Sequence, residues 1–465
     1  MNNDTKLRIA EVEVKGLFGL YDHSIKLFLE DRVTIVHGQN GVGKTALLRL
    51  IEALIRGKYI QLIKTPLDSF CLRLTDGSEI GIRKINKKNE DDNKKNDIGI
   101  TEVYYVDPAK HQDKIEITTS QDKLENILRV IDREMPWIRR VGTDQWHDRQ
   151  RDEIISSDQL IERYADELPA RFKKFIFQEP EWLSTIRQQL KVHFIETQRL
   201  LKISPAEEEN SYSRSSSGRI TATVQKYAAE LKQNIAETMA EYAKSSQLLD
   251  QSFPQRLLAS TSAPALTIEE LKRRMEALDK KRADLKKIGL VDEDTTYPFD
   301  VSKLDSLQET ERAVMTLYVD DTANKLGVLD MLAARLSLLL NNMNNKFKNK
   351  SISIDKKQGL VAKDRDGNPL NLEFLSSGEQ HELVLMYDLL FRVEPDTLVM
   401  IDEPELSLHV IWQKAFIADL LAIVQTVGFD VLLATHSPFI AGERNDLMIA
   451  LPSTGDAGQA SKAGL

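Results

Sequence analysis

Cysteine is almost absent, with Cys71 the only one in 465 residues. That excludes a disulfide framework and a CxxC-type zinc site, and it fits a reducing compartment. Long apolar runs are missing too: none approaches the ~20 residues that a membrane-spanning helix needs. The opening residues Met1-Asn2-Asn3-Asp4-Thr5-Lys6 lack the basic-then-apolar order of a signal peptide. A cytoplasmic protein with no membrane contact is therefore expected. Nor is positive charge in excess. With 63 Lys and Arg against 72 Asp and Glu, the formal net charge is −9 and the pI is near 5.6. Such a balance argues against a surface devoted as a whole to gripping nucleic acid, while a local basic patch is still compatible with it. The length allows two or three domains and a sizeable core.

What the chain does have is Gly38-Gln39-Asn40-Gly41-Val42-Gly43-Lys44-Thr45, a full match to G-x-x-x-x-G-K-[ST]. It follows the apolar run Val33-Thr34-Ile35-Val36 and leads into a helix-like segment, Ala46 to Arg56. Strand, loop and helix in this order make a phosphate site. Gly38, Gly41 and Gly43 let the backbone curl so that its N–H groups, Asn40 included, face phosphate oxygens, and the helix start adds partial positive charge. Lys44 is expected to reach the β- and γ-phosphates of ATP, and the Thr45 hydroxyl to ligate Mg2+.

Strands are expected at Leu7 to Val14, Ser24 to Leu29 and Val33 to His37, then at Phe70 to Leu74, Glu79 to Ile85 and Gly99 to Val106. Residues 84–97 are charged and almost free of apolar side chains, as a solvated hairpin loop would be. From Gln121 to Gln189 the pattern is mostly helical, with Trp137, Trp146 and Trp182 as packing residues. Val192 to Leu200 reads as a buried strand, and the polar, Ser-rich stretch 204–218 as a linker. Beyond it, Val224, Ala228, Leu231, Ile235, Thr238, Tyr242, Ser246 and Leu249 alternate steps of four and three. A second set runs from Ile268 to Leu285, opened by the capping box Thr267-x-x-Glu270, and a third helical stretch covers about Ser302 to Phe347. The repeat favours a helical arm or coiled coil, with an ordinary bundle as the competitor; Arg282 at an a position loosens the seam. Strands then resume at Ser351 to Asp355, Gly359 to Lys363 and Leu370 to Phe374.

Two apolar strands end in polar groups. Thr397-Leu398-Val399-Met400-Ile401 runs into Asp402-Glu403, and Asp430-Val431-Leu432-Leu433-Ala434 into Thr435-His436-Ser437. Carboxylates at the exit of a buried strand are costly unless a cation or water uses them. In an ATPase the first acid, Asp402, holds Mg2+ through water and the second, Glu403, orients the attacking water. His436 lies at a strand's carboxyl end, where α/β sheets place ligands, and could contact the γ-phosphate or that water. Upstream, Leu375-Ser376-Ser377-Gly378-Glu379-Gln380 opens a helix, so Ser376, Ser377 and Gly378 form a second anion site.

In this order the four motifs resemble the Walker A, signature, Walker B and switch-histidine elements of ABC-type ATPases of the AAA family. The nearest branch is the one containing SMC, RecF and OLD-like proteins. The form Asp402-Glu403-Pro404-Glu405-Leu406-Ser407-Leu408-His409 departs from the transporter type and is similar to the OLD-like group, often labelled AAA15. The resemblance implies an α/β head formed by the two ends of the chain, with an inserted helical arm. It divides the chain into an N-terminal lobe (1–120), a helical region returning by a strand (121–200), a linker and coiled-coil arm (201–350) and a C-terminal lobe (351–465). It also implies that Gln198 senses Mg2+ as the Q-loop glutamine. Head-to-tail ATP sandwiches are expected, in which Ser376 and Gly378 of one protomer cap the γ-phosphate on Lys44 of another.

OLD-family proteins carry a Toprim nuclease domain after the switch histidine. Only 29 residues follow His436, and no HNH-like Cys/His cluster is present. Any nuclease is expected on a separate protein. The chain thus resembles the ATPase subunits of bacterial anti-phage systems, AriA of PARIS with a Toprim partner or PtuA of Septu with an HNH partner. It would be a homo-oligomer that holds an effector nuclease until a phage-encoded trigger is sensed. The alternative is a DNA-repair or chromosome-associated ATPase that clamps DNA. Its support, the cations Lys272-Arg273-Arg274, Lys280-Lys281-Arg282 and Lys286-Lys287, is interleaved with Glu269, Glu270, Glu276, Asp279 and Asp284, as on a solvated helix face.

Overall fold

The computed structural model describes residues 6–86, 99–117, 121–149, 152–196, 216–259, 265–291, 301–406 and 410–452. Gln198, His409 and most of the stretches 84–97 and 204–218 lie outside them. The chain forms two compact units. The first takes its described residues from 6–196 and 393–452, the second from 216–392.

The first unit is built on a five-stranded parallel sheet in the order Lys191–Glu196, Thr397–Asp402, Asp430–Thr435, Val33–His37, Met448–Ala450. Every residue of Asp430–Thr435, and all but the last of Thr397–Asp402 and Val33–His37, is buried. Burial on both faces explains why these strands read as unbroken apolar runs. The helix Lys44–Arg56 packs on three of them and buries Leu47, Leu48, Leu50, Ile51, Leu54 and Ile55, each worth ~1.5–3 kcal/mol of apolar transfer. Gly57 ends it in the left-handed region, at φ 64°.

A six-stranded antiparallel sheet completes this layer, in the order Tyr21–Lys26, Ile9–Leu17, Ser69–Leu74, Glu79–Asn86, Gly99–Val106, Gln112–Ile117. Its first two strands are shifted from the expected spans. The chain turns only after Leu17, through Phe18 (φ 57°) and Gly19 (φ 70°), so the strand runs through Gly16 rather than stopping at Val14. Gln121–Glu134, Ser157–Tyr164, Ala170–Phe177 and Glu181–Gln189 are helical as the pattern suggested. Between the first two, however, lies a three-stranded antiparallel sheet of Ile138–Arg140, Gln145–Asp148 and Glu153–Ser156. Strands of three or four residues are too short to show alternation in sequence. Trp146 is buried in the core there, and its Nε1 donates to Ser157 Oγ at 3.0 Å.

The second unit is mainly helical: Ser216–Ala259, Ile268–Lys287, Glu309–Gly327 and Asp330–Lys346. Thr267 caps the second of these, its hydroxyl accepting from the Glu270 amide at 3.2 Å. The expected single stretch from Ser302 to Phe347 is broken, since Glu309–Gly327 and Asp330–Lys346 meet at a 55° bend after Gly327. A small antiparallel sheet follows, Lys350–Asp355, Gly359–Asp364 and Pro369–Leu370. Of the expected strand 370–374 only Leu370 pairs in this sheet, opposite Ala362. The Asn371 side chain accepts from the Glu373 amide at 3.2 Å and winds Leu372–Phe374 into a 3-10 turn. Among the described residues no single helix is long and apolar enough to cross a membrane.

The expected α/β fold is the one observed, a P-loop head drawn from both ends of the chain with a helical segment between them.

Candidate nucleotide site

The strand Val33–His37 delivers its chain to Gly38 at the carboxyl edge of the parallel sheet, beside Asp430–Thr435. Gly41 and Gly43 take φ of 87° and 95°, the left-handed region where side chains strain the backbone. At Gly41 a Cβ would meet nothing within 4 Å, whereas at Gly43 it would stand 2.5 Å from Leu17 Cδ2. Asn40 is exposed on the loop. His23, buried on Tyr21–Lys26 of the antiparallel sheet and stacked on Tyr21, has Nε2 2.8 Å from the Val42 carbonyl and steadies the loop from behind.

Lys44 turns back over this loop. Its ammonium donates to Gly38 O at 2.7 Å, Gln39 O at 2.9 Å and His436 Nδ1 at 2.9 Å. Burial lowers its pKa below the usual lysine value, while the carboxylates of Glu403, Asp402 and Glu405 pull the other way. Because an ammonium has only protons to offer, His436 Nδ1 accepts from it, which leaves the ring proton on Nε2. Nε2 lies 2.6 Å from Glu403 Oε1 and donates to it. His436 thus bridges the loop lysine and the second strand-exit carboxylate.

Thr45 Oγ1 is 3.0 Å from both Asp402 oxygens. Glu403, the next residue, is held at φ 48° with its amide on Ala434 O at 2.8 Å, which aims its side chain back toward His436. The turn Pro404–Leu406 follows. Glu405 Oε1 there receives the Thr435 hydroxyl at 2.7 Å and the amides of His436 at 2.8 Å and Ser437 at 3.2 Å.

Gly38, Asn40, Gly41, Gly43, Lys44, Thr45, Asp402, Glu403 and His436 therefore come together on one edge of the first unit. The donor set fits a triphosphate with a hard cation. Left-handed glycines open the cradle, one ammonium and a helix start face it, and a hydroxyl–carboxylate pair offers oxygen ligands only. Among the described residues no group of three or more His, Cys, Asp or Glu could hold a metal by itself. That is the usual situation for Mg2+, which takes one or two protein oxygens and completes its shell from phosphate and water.

Ser376, Ser377 and Gly378 belong to the second unit, at the start of the helix Ser377–Tyr387. Ser376 and Glu379 form a reciprocal capping box: Glu379 Oε2 receives the Ser376 amide at 2.6 Å, and Ser376 Oγ the Glu379 amide at 3.4 Å. Lys350 donates to the same Glu379 oxygen at 2.8 Å. Gln380 Nε2 binds the carbonyls of Glu373 at 3.2 Å and Leu375 at 3.1 Å. The conspicuous polar residues Glu379 and Gln380 thus shape the turn, leaving Ser376 and Ser377 exposed. The Ser-x-x-Glu spacing was the sequence signal for that box; His23 had none.

A P-loop strand and helix, with an acid pair at the end of Thr397–Asp402 one strand further across the same sheet, define a P-loop nucleotide-binding head. The sequence matches the family model AAA_15, described as an AAA ATPase domain, over residues 8–441, and the chain belongs to that family. It is therefore a nucleotide-binding protein of an ATPase family. Solved structures with similarity include the Smc head domain with an extended coiled coil, bound to the C-terminal domain of ScpA, from Pyrococcus furiosus. That match has 13% identity over 96% of this chain and 94% of that one, at a TM-score of 0.32. The SMC head domain from Thermotoga maritima matches at 10% identity over 95% and 94%, with a TM-score of 0.31. No curated protein matches the sequence.

Proposed function

We infer that the chain binds and hydrolyses ATP as an ABC-type ATPase and serves as the sensor or scaffold subunit of a bacterial anti-phage system. The observation that carries the catalytic half is the linked set Lys44–His436–Glu403 beside Thr45–Asp402. Lys44 would exchange its carbonyl partners for the β/γ-phosphates, since both are acceptors for the same three protons. Thr45 and Asp402 would hold Mg2+, which would neutralise phosphate charge there. Glu403 orients and polarises the attacking water, and His436, released from Lys44, accepts from that water at Nδ1 or, with its proton on Nδ1 instead of Nε2, donates to the γ-phosphate. Gln198 is assigned to sensing Mg2+ on family resemblance.

Ser376, Ser377 and Gly378 would complete the site from a second copy, so that ATP stabilises a closed homo-oligomer through contacts made only across the interface. Leu406 and Phe439, 60% and 75% exposed near the site, suit such a surface. The lobes 1–120, 121–200 and 351–465 would form the head and 201–350 the arm, in a cytoplasmic protein. The effector would be a separate nuclease, Toprim-type for an AriA-like chain or HNH-type for a PtuA-like one, licensed by a phage-encoded trigger.

Co-expression with the product of the adjacent open reading frame tests this. Co-purification of a nuclease, with phage protection lost in Lys44→Ala, supports the defence role. A chain that recovers no effector and protects no cell refutes it. Steeply salt-dependent duplex binding by the isolated protein would favour the DNA-repair reading instead.

A further inference from the structure

The geometry points to Glu405 as a positioning residue for hydrolysis, one that fixes His436 against Glu403 and Lys44. This rests on the catalytic reading of His436 above. Glu403 and Glu405 flank Pro404 in a single turn, and each reaches the strand-exit segment 435–437 in a different way. Glu403 touches the His436 ring, at 2.6 Å from Nε2. Glu405 holds the backbone that carries that ring.

One oxygen, Glu405 Oε1, collects three donors from consecutive residues: the Thr435 hydroxyl at 2.7 Å, the His436 amide at 2.8 Å and the Ser437 amide at 3.2 Å. Convergent N–H and O–H groups around an anion are charge-assisted, roughly twice as strong as neutral hydrogen bonds. Thr435 is fully buried and its Oγ1 also receives the Ser437 amide at 2.9 Å, so the acceptor and its cradle brace each other. The Glu405 backbone is itself tied down, its carbonyl accepting from Gln413 Nε2 at 3.1 Å. The other oxygen, Oε2, is buried with no hydrogen-bond partner among the described residues. A carboxylate that uses one oxygen for three bonds while the other lies buried costs more to desolvate than a neutral cap of the same shape. A plain turn cap would not need the charge. What the charge adds is rigidity at the residue whose ring lies between Lys44 Nζ and Glu403 Oε1.

Steady-state ATPase kinetics on the full chain, with direct nucleotide binding, test the role. Glu405→Ala is expected to lower kcat by about 100-fold, the cost of a misplacement near 1 Å, with nucleotide affinity within about threefold of wild type. Glu405→Gln, which keeps an acceptor oxygen at the same place but not the charge, is expected to recover only part of that loss. In a His436→Ala background Glu405→Ala should cost little more, because the two act as a unit. Amide hydrogen exchange at His436 and Ser437 should quicken in Glu405→Ala while exchange in the strand Val33–His37 stays unchanged, which separates a local release from misfolding. An equal loss of kcat in both backgrounds, or unchanged exchange at the two amides, overturns the proposal. If His436→Ala turns over normally, the catalytic role of His436 falls, and exchange at the two amides still decides whether Glu405 holds that segment.

Discussion

Gly41 and Gly43 offer a matched pair of perturbations in the phosphate loop. Both sit at left-handed φ, 87° and 95°, so an alanine at either costs the backbone ~1–2 kcal/mol. Only at Gly43 is there a second cost. Its Cβ would lie 2.5 Å from Leu17 Cδ2, and Leu17 has 0% exposure, so its side chain cannot swing into solvent. Overpacking of this kind adds ~1–3 kcal/mol, which brings Gly43→Ala to roughly 2–5 kcal/mol against 1–2 for Gly41→Ala. Urea unfolding of the two variants, read as a change in midpoint at unchanged slope, measures the difference. Leu17→Ala removes the clashing methyl, so the double variant Leu17→Ala/Gly43→Ala should lose less stability than the two single losses added together. Equal midpoints for Gly41→Ala and Gly43→Ala, or strict additivity with Leu17→Ala, would refute this account of the loop.

Other variants probe separate parts of the molecule. Lys44→Ala is expected to abolish nucleotide binding, measured by titration with a fluorescent ATP analogue. Burial lowers the Lys84 pKa to about 8 from an ordinary 10.5. Between those values the unfolded chain keeps a proton that the folded one has lost, so stability should rise with pH across that window, and Lys84→Met should flatten the rise. Lys346 pairs with Glu382, whose side chain has 0% exposure, and Lys346→Met should destabilise the helical unit by ~3–5 kcal/mol in chemical denaturation.

The parts of the fold that could be read in advance are those with one strong physical cause. Val33–His37, Thr397–Asp402 and Asp430–Thr435 are buried on both faces, and only an apolar run satisfies that. Each then ends in a polar residue that a buried strand does not need, and these residues meet at the same edge. The losses came where a local hydrogen bond outweighs pattern. Asn371 turns 372–374 away from a strand, and the short strands at 138–156 are fixed by pairing across a hairpin rather than by alternation. Glu405 stood in the sequence beside Glu403, but its task depends on three donors 30 to 32 residues away, which no local pattern reveals.

Glu403→Gln tests the central claim most directly, in single-turnover hydrolysis of ATP with Mg2+ while oligomer size is followed by light scattering. The variant should bind ATP as tightly as wild type, lose ~10²–10⁴-fold in the hydrolysis step, and accumulate an ATP-bound oligomer. Turnover at the wild-type rate would contradict the assignment of Glu403 as the group that activates water, and with it the linked set Lys44–His436–Glu403 as the hydrolytic centre.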